Sequence, residues 1–197
     1  MGGFLSGEQQ ETIIDLINEE QDAFYVSSEI IETSKNCLFI GFKRIFNKED
    51  KNLYDKKKCF ALKLIDYQKD KDIQDFERES NILDLFQDFP QIIKYEDKIK
   101  FELNGFNHLL ISMKYYVHSD LFNYLWRSDF DFDEELIQKI AYQSLNILQL
   151  LKSRNVVHND FKFENFIVES NKPLKLILTD FECSQILYNI KKFLIRF

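Results

Sequence analysis

The chain has 197 residues, with 26 Lys and Arg against 33 Asp and Glu, a formal net charge of −7, and 45% apolar residues. Twenty Phe beside only 5 Gly and 2 Pro exclude collagen-like, linker-rich and disordered chains, and leave enough carbon for a buried core. The acidic balance argues against a nucleic-acid partner, since phosphate contacts need a basic patch.

This length suits one domain or two small lobes. Cys37, Cys59 and Cys183 are odd in number and lack metal-ligand spacing, which reads as reduced thiols and a cytoplasmic setting. Met1-Gly2-Gly3-Phe4-Leu5-Ser6 fits a loose N-myristoylation pattern at Gly2, the one route to a membrane here, without the basic second signal that stable anchoring needs.

In chain order, residues 7–24 carry Ile13, Ile14, Leu16, Ile17 and Phe24 at the spacing of a short amphipathic helix. β-Branched and aromatic residues predict strands over 24–32, 37–45 and 59–65, the last two joined by a charged loop at 47–57. Helical spacing returns over 71–87, with Ile73, Phe76 and Leu83 on one stripe and Glu79 on that stripe too. Phe89-Pro90 stops that helix. Asn104-Gly105 between two strand patterns predicts a two-residue hairpin. The clearest helix runs from an Asp133 cap to about Ser153, with Leu136, Ile140, Leu145, Leu148 and Leu151 as its expected buried face. Short strands then flank a turn at 170–173.

The polar residues of greatest chemical interest are His158, Asn159, Asp160, Lys162, Glu164 and Asn165, gathered in one loop. A hairpin after Asn165 would return Asp180 beside that loop. Asn165 and Asp180 suit Mg²⁺ completed by phosphate oxygens. Asp160 can accept a hydroxyl proton, and Lys162 can balance charge on a migrating phosphoryl group. His158 reads as an organiser of the loop by hydrogen bonding. Glu79, on an apolar stripe, needs a partner because an unpaired buried charge is costly, and Lys63 in the apolar run Phe60-Ala61-Leu62-Lys63-Leu64-Ile65 can supply one.

His158-Asn159-Asp160-Phe161-Lys162-Phe163-Glu164-Asn165 resembles the catalytic loop of protein kinases, and Thr179-Asp180-Phe181-Glu182 resembles their metal-binding Asp-Phe-Gly. Phe60-Ala61-Leu62-Lys63 is similar to the strand whose Lys grips the nucleotide phosphates, and Glu79 stands where the family has that Lys's partner. Met113 to Asp120 resembles the hinge. There the resemblance implies Met113 as gatekeeper, backbone groups of Lys114 and Tyr116 on adenine, and Asp120 on the ribose.

The implied fold is α+β and kinase-like: a five-stranded antiparallel N-lobe with one main helix, and an incomplete helical C-lobe. The implied division is an extension over 1–24, an N-lobe over 25–117 and a C-lobe over 118–197. ATP and Mg²⁺ are the implied cofactors and a protein Ser/Thr the implied substrate, since Lys162 follows the catalytic Asp at the Ser/Thr-type position.

Three departures accompany the match. Glu32, Ser34 and Cys37 stand where the family has glycines, with only Gly41 nearby; Asn159 replaces an Arg; and 17 residues follow Asp180. The last leads to the expectation of a truncated kinase domain with a bare apolar face on the 133–153 helix, open to association and partly coverable by residues 186–197. Two further readings follow: a pseudokinase or scaffold, and a small-molecule kinase of the choline/ethanolamine type, which His158-Asn159-Asp160 and Asp180-Phe181-Glu182 also resemble.

Overall fold

The structure is a computed structural model that describes residues 14–15, 17–18, 24–32, 37–44, 54–66, 70–103, 105–127 and 133–187. The Gly2 pattern, Ser34, much of the charged 47–57 loop, Asn104 and the tail beyond Leu187 lie outside the described residues. Two compact units are present: one holds the described residues up to Ile73 with Lys94–Tyr115, the other Gln74–Ile93 with those from Tyr116 onward.

The first unit is a five-stranded antiparallel sheet in the order β1-β2-β3-β5-β4. Its strands are β1 (Phe24–Glu32), β2 (Cys37–Arg44), β3 (Tyr54–Asp66), β4 (Tyr95–Leu103) and β5 (Phe106–Lys114). Strand β3 begins earlier than its apolar pattern implies. Beyond Phe60, which pairs with Lys114 of β5, Cys59 pairs with Phe42 of β2 and, past a break in register, Tyr54 pairs with Arg44, so pairing at both ends carries a stretch with no apolar alternation into the strand. The β4–β5 hairpin closes as expected, with Leu103 opposite Phe106 and Gly105 at φ 79°, a conformation glycine adopts without Cβ strain.

One face of this sheet carries a core of Phe24, Val26, Phe39, Leu62, Leu64 and Leu110, completed by Ile14 and Ile17 from the helical residues of the N-terminal stretch. Phe24 and Phe60 meet edge to face with centroids 5.3 Å apart. The Asn18 amide pairs with both main-chain groups of Val26, at 2.8 and 3.0 Å, and so ties this stretch to β1.

The second unit is mainly helical. Helix α1 (Asp70–Asp84) enters it at Gln74, and α2 (Leu121–Arg127) and α3 (Glu134–Ser153) follow. Helix α1 ends at Asp84, before the predicted 87, because Leu85 and Phe86 bond back only three residues, to Ile82 and Leu83. Asp133 caps α3, accepting the Leu136 N–H at 2.7 Å, and Glu134 and Glu135 complement the helix dipole in the first turn.

The buried face of α3 differs from the expected one. Ile140, Ile147 and Leu151 are buried, whereas Leu145 is 58% and Leu148 41% exposed. Burial follows the 140-147-151 line, and Gln143 on that side bonds the Leu174 carbonyl and the Leu176 N–H, both at 3.0 Å, orienting the helix against the strand there. Leu145 and Leu148 therefore join Ile137 on a bare flank beside that line. Among the described residues no helix is long and apolar enough to cross a membrane.

The remaining elements are a hairpin of β7 (Phe166–Asn171) and β8 (Leu174–Leu178), and a small ladder of β6 (Val156–Val157) with β9 (Gln185–Ile186). Leu178 is stitched to the segment after α1, through its N–H to the Gln91 carbonyl and its carbonyl to the Ile93 N–H, each 2.9 Å.

Candidate functional site

The sequence between β6 and β7 is rich in local donors and acceptors and closes on a 3-10 turn (Phe163–Asn165), so side-chain hydrogen bonds help to set its path. His158 is buried at 2% exposure. Its Nδ1 accepts the Asp160 N–H at 3.3 Å, which places the ring proton on Nε2, 3.0 Å from the Thr179 carbonyl that it donates to. Burial holds its pKa below the usual 6.5, against the opposing pull of the Thr179 carbonyl and of the Asp180 and Asp160 charges. The neutral ring so favoured is the form that can bridge both segments. His158 thus organises the loop, as its sequence suggests.

Asp160 receives two cationic or amide donors on one oxygen. Lys162 Nζ lies 2.9 Å from Oδ2, and Asn165 Nδ2 donates to the same oxygen at 2.9 Å and to the Asp160 carbonyl at 2.7 Å. The bond from Lys162, then that from Asn165, lowers the Asp160 pKa below the ordinary carboxylate value, while the same contact raises that of Lys162. Among the described residues Oδ1 of Asp160 takes no bond, so an ionised oxygen remains open at the end of a fixed carboxylate.

The β7–β8 hairpin performs the return that the sequence calls for. Phe166 pairs with Leu178, and the Thr179 N–H donates to the Asn165 carbonyl at 2.9 Å, so Asp180 follows directly beside Asn165. Asp180 sits at φ 60°, a left-handed conformation that Asp tolerates better than most residues. Phe181 next to it is fully buried, 4.8 Å from the His158 ring and 6.2 Å from Phe86 between centroids.

The donor set fits Mg²⁺. Asn165 is buried with its amide nitrogen committed to Asp160, which turns Oδ1 away as a hard acceptor. The half-buried Asp180 carboxylate makes no hydrogen bond among the described residues. A site with one carboxylate and one amide oxygen suits an ion that retains water and phosphate ligands. Among the described residues no group of three His, Cys, Asp or Glu side chains forms a closed metal cage.

The other sequence-selected residues stand on different elements. In the first unit, Lys63 is half-buried on β3, paired with Leu38 and Ile111, while Met113 and Lys114 end β5 opposite Ala61 and Phe60. In the second unit, Glu79 is buried on α1 at 4% exposure, Tyr116 is half-buried, and Asp120 caps α2, accepting the Asn123 N–H at 2.8 Å and its side-chain amide at 2.5 Å. The structure thus gathers Asp160, Lys162, Asn165 and Asp180 at one place in the second unit. Asn159, Arg78 and Ser184 carry roles that sequence reasoning missed: their partners are backbone carbonyls, which leave no trace in residue identity.

Residues 50–195 match the family model described as the protein kinase domain, about three quarters of the chain. The chain is 31% identical over 143 residues to the meiosis-specific serine/threonine-protein kinase mek1 of Schizosaccharomyces pombe, covering 72% of this chain and 30% of that protein. It is 27% identical over 159 residues to serine/threonine-protein kinase 1 of African swine fever virus, 79% of this chain and 51% of the relative. With serine/threonine-protein kinase 1 of Lymantria dispar multicapsid nuclear polyhedrosis virus it shares 38% identity over 74 residues, 38% of this chain and 27% of the relative. The chain therefore spans about a quarter to a half of the length of these curated relatives. With its five-stranded antiparallel sheet, its helical second unit and an ordered set of family motifs, the chain belongs to the protein kinase family.

Proposed function

We propose that this chain binds Mg·ATP and transfers the γ-phosphoryl group to a Ser or Thr hydroxyl of a protein substrate. The observation that carries the reading is the fixed Asp160 carboxylate, with Oδ2 held by Lys162 and Asn165 and Oδ1 open. Asp160 orients the acceptor hydroxyl and takes its proton on Oδ1 as the new oxygen–phosphorus bond forms and the bond to the β,γ-bridging oxygen breaks. Its lowered pKa makes it a weak base, suited to a late proton transfer in a loose transition state. Lys162 is placed to offset charge on the migrating group. Mg²⁺, when bound, neutralises phosphate oxygens, and Asn165 and Asp180 are the residues that would hold it.

By their family positions, Lys63 and Glu79 take the roles of phosphate-gripping lysine and its carboxylate. Met113 acts as gatekeeper, Lys114 and Tyr116 offer main-chain groups to adenine, and Asp120 meets the ribose. The Ser/Thr preference is supported by Lys162 and by the similarity to serine/threonine-protein kinases. A cytosolic setting belongs to the same proposal and rests on the odd number of cysteines and their lack of metal-ligand spacing.

The scaffold reading is favoured by one observation, the bare side of α3, where Ile137 is 53%, Leu145 58% and Leu148 41% exposed. Thermal melting with and without Mg·ATP separates the two. With ligand about 100-fold above its Kd, the parent is expected to melt roughly 5–10 °C higher. Asp180→Ala removes the Mg²⁺-dependent part of that shift, Lys63→Met removes most of it, and labelled phosphate appears on a Ser/Thr substrate only with the parent. No shift in the parent would sink the catalytic reading.

A further inference from the structure

Two non-glycine residues around the site sit in the left-handed region, Asn159 at φ 64° and Asp180 at φ 60°. Upstream of Asp180 the chain is anchored at Thr179, by the Asn165 carbonyl and by His158. Downstream it is anchored three times in succession. Arg78 of α1 donates from Nη2 to the Glu182 carbonyl at 2.7 Å, Asn159 Nδ2 donates to the Cys183 carbonyl at 2.9 Å, and Ser184 Oγ donates to the His158 carbonyl at 3.2 Å. Arg78 is itself fixed by Asp75, 2.7 Å from Nη1. The Asp180 carboxylate has no hydrogen bond of its own among the described residues, so its place is set by what holds its neighbours.

We propose that Asn159 and Arg78 form a two-point clamp on the carbonyls of Glu182 and Cys183 that fixes where the Asp180 carboxylate stands, making Asn159 a positioning residue for the metal site. The inference rests on the reading of Asp180 as a metal ligand. The Arg expected from the catalytic-loop pattern at this position would bring charge; Asn brings two other properties. It tolerates the left-handed backbone, and its short amide reaches a carbonyl three residues past the metal-binding Asp. Asn159 is uncharged, so this anchor needs no counter-charge from a modified residue. The second anchor comes from α1, so the same helix that carries Glu79 also holds the segment after Asp180.

Asn159→Asp keeps the side chain's size and its tolerance of positive φ while replacing the donor with an oxygen that repels the Cys183 carbonyl. Asn159→Gly keeps the backbone freedom and removes the side chain, and Arg78→Leu removes the other anchor. In the nucleotide-free chain, amide hydrogen exchange over residues 181–187 is expected to quicken by roughly three- to tenfold in each variant, the factor one hydrogen bond is worth. In the melting assay the Mg²⁺ concentration for half the nucleotide shift rises by a similar factor, while the response to ATP without Mg²⁺ is unchanged.

Unchanged exchange in Asn159→Asp would overturn the clamp. Faster exchange with an unchanged Mg²⁺ requirement would overturn the positioning role. A parent chain without any Mg·ATP shift removes the nucleotide reading instead, and the exchange measurement still decides whether the clamp exists.

Discussion

The first unit and the second place their candidate residues by different means. Lys63 and Met113 lie on β3 and β5, where ladder hydrogen bonds fix the backbone whatever the side chains are. Asp160 and Asp180 lie in loops, and Asn165 ends a single 3-10 turn between them, on a path set by His158, Asn159, Asn165 and Ser184. A side chain on a strand is therefore free to be purely functional, while one in the loop is functional and architectural at once. Substitutions in the first unit should separate binding from stability; those in the second should not.

The strongest way to break that contrast is Phe181→Ala. Phe181 is fully buried between His158 and Phe86, and its removal should cost about 3–5 kcal/mol. Calorimetry should show a large fall in Tm, accompanied by loss of the nucleotide shift. A sharper test compares the two sides of α3: Ile147→Ala, on the buried side, is expected to cost about 2–5 kcal/mol by urea denaturation, and Leu145→Ala no more than about 0.5 kcal/mol. Equal effects would mean that Leu145 is covered.

Within the site, Asn165→Ala should cost about 1–3 kcal/mol, because a buried amide and its two bonds to Asp160 go together. Met113→Leu on β5, a volume-conserving change, should stay under about 1.5 kcal/mol.

The smallest effect is a pH slope. His158 has a folded-state pKa below 6.5, so between that value and 6.5 the unfolded chain binds a proton that the folded chain does not. Its contribution is full above 6.5 and is lost as pH falls through the folded value. Asp160, lowered from 3.8, contributes fully above that pH and loses its share only below it. Melting temperatures across about pH 7.5 to 5.5 should decline. His158→Gln should flatten the decline.

Most of the fold was legible in the sequence. The period-two patterns and Asn104-Gly105 located the sheet's strands, because alternation and positive φ are properties of single residues and their neighbours. The cap at Asp133 was local in the same way, whereas α1 stops at Asp84, ahead of the Phe89-Pro90 stop signal. The early start of β3 was not legible, since the ladder to β2 carries a stretch without apolar pattern. Nor was the exposure of Leu145 and Leu148: two apolar lines run along α3, and periodicity alone cannot say which meets the rest of the unit.

For the candidate site, residue types and order singled out Asp160, Lys162, Asn165 and Asp180, and the fold brings these four together. The tertiary structure alone decided which oxygen of Asp160 stays open, which way the Asn165 amide turns, and what Asn159 and Arg78 hold. Their partners are main-chain atoms, present at every residue, and only the folded path of the chain selects among them.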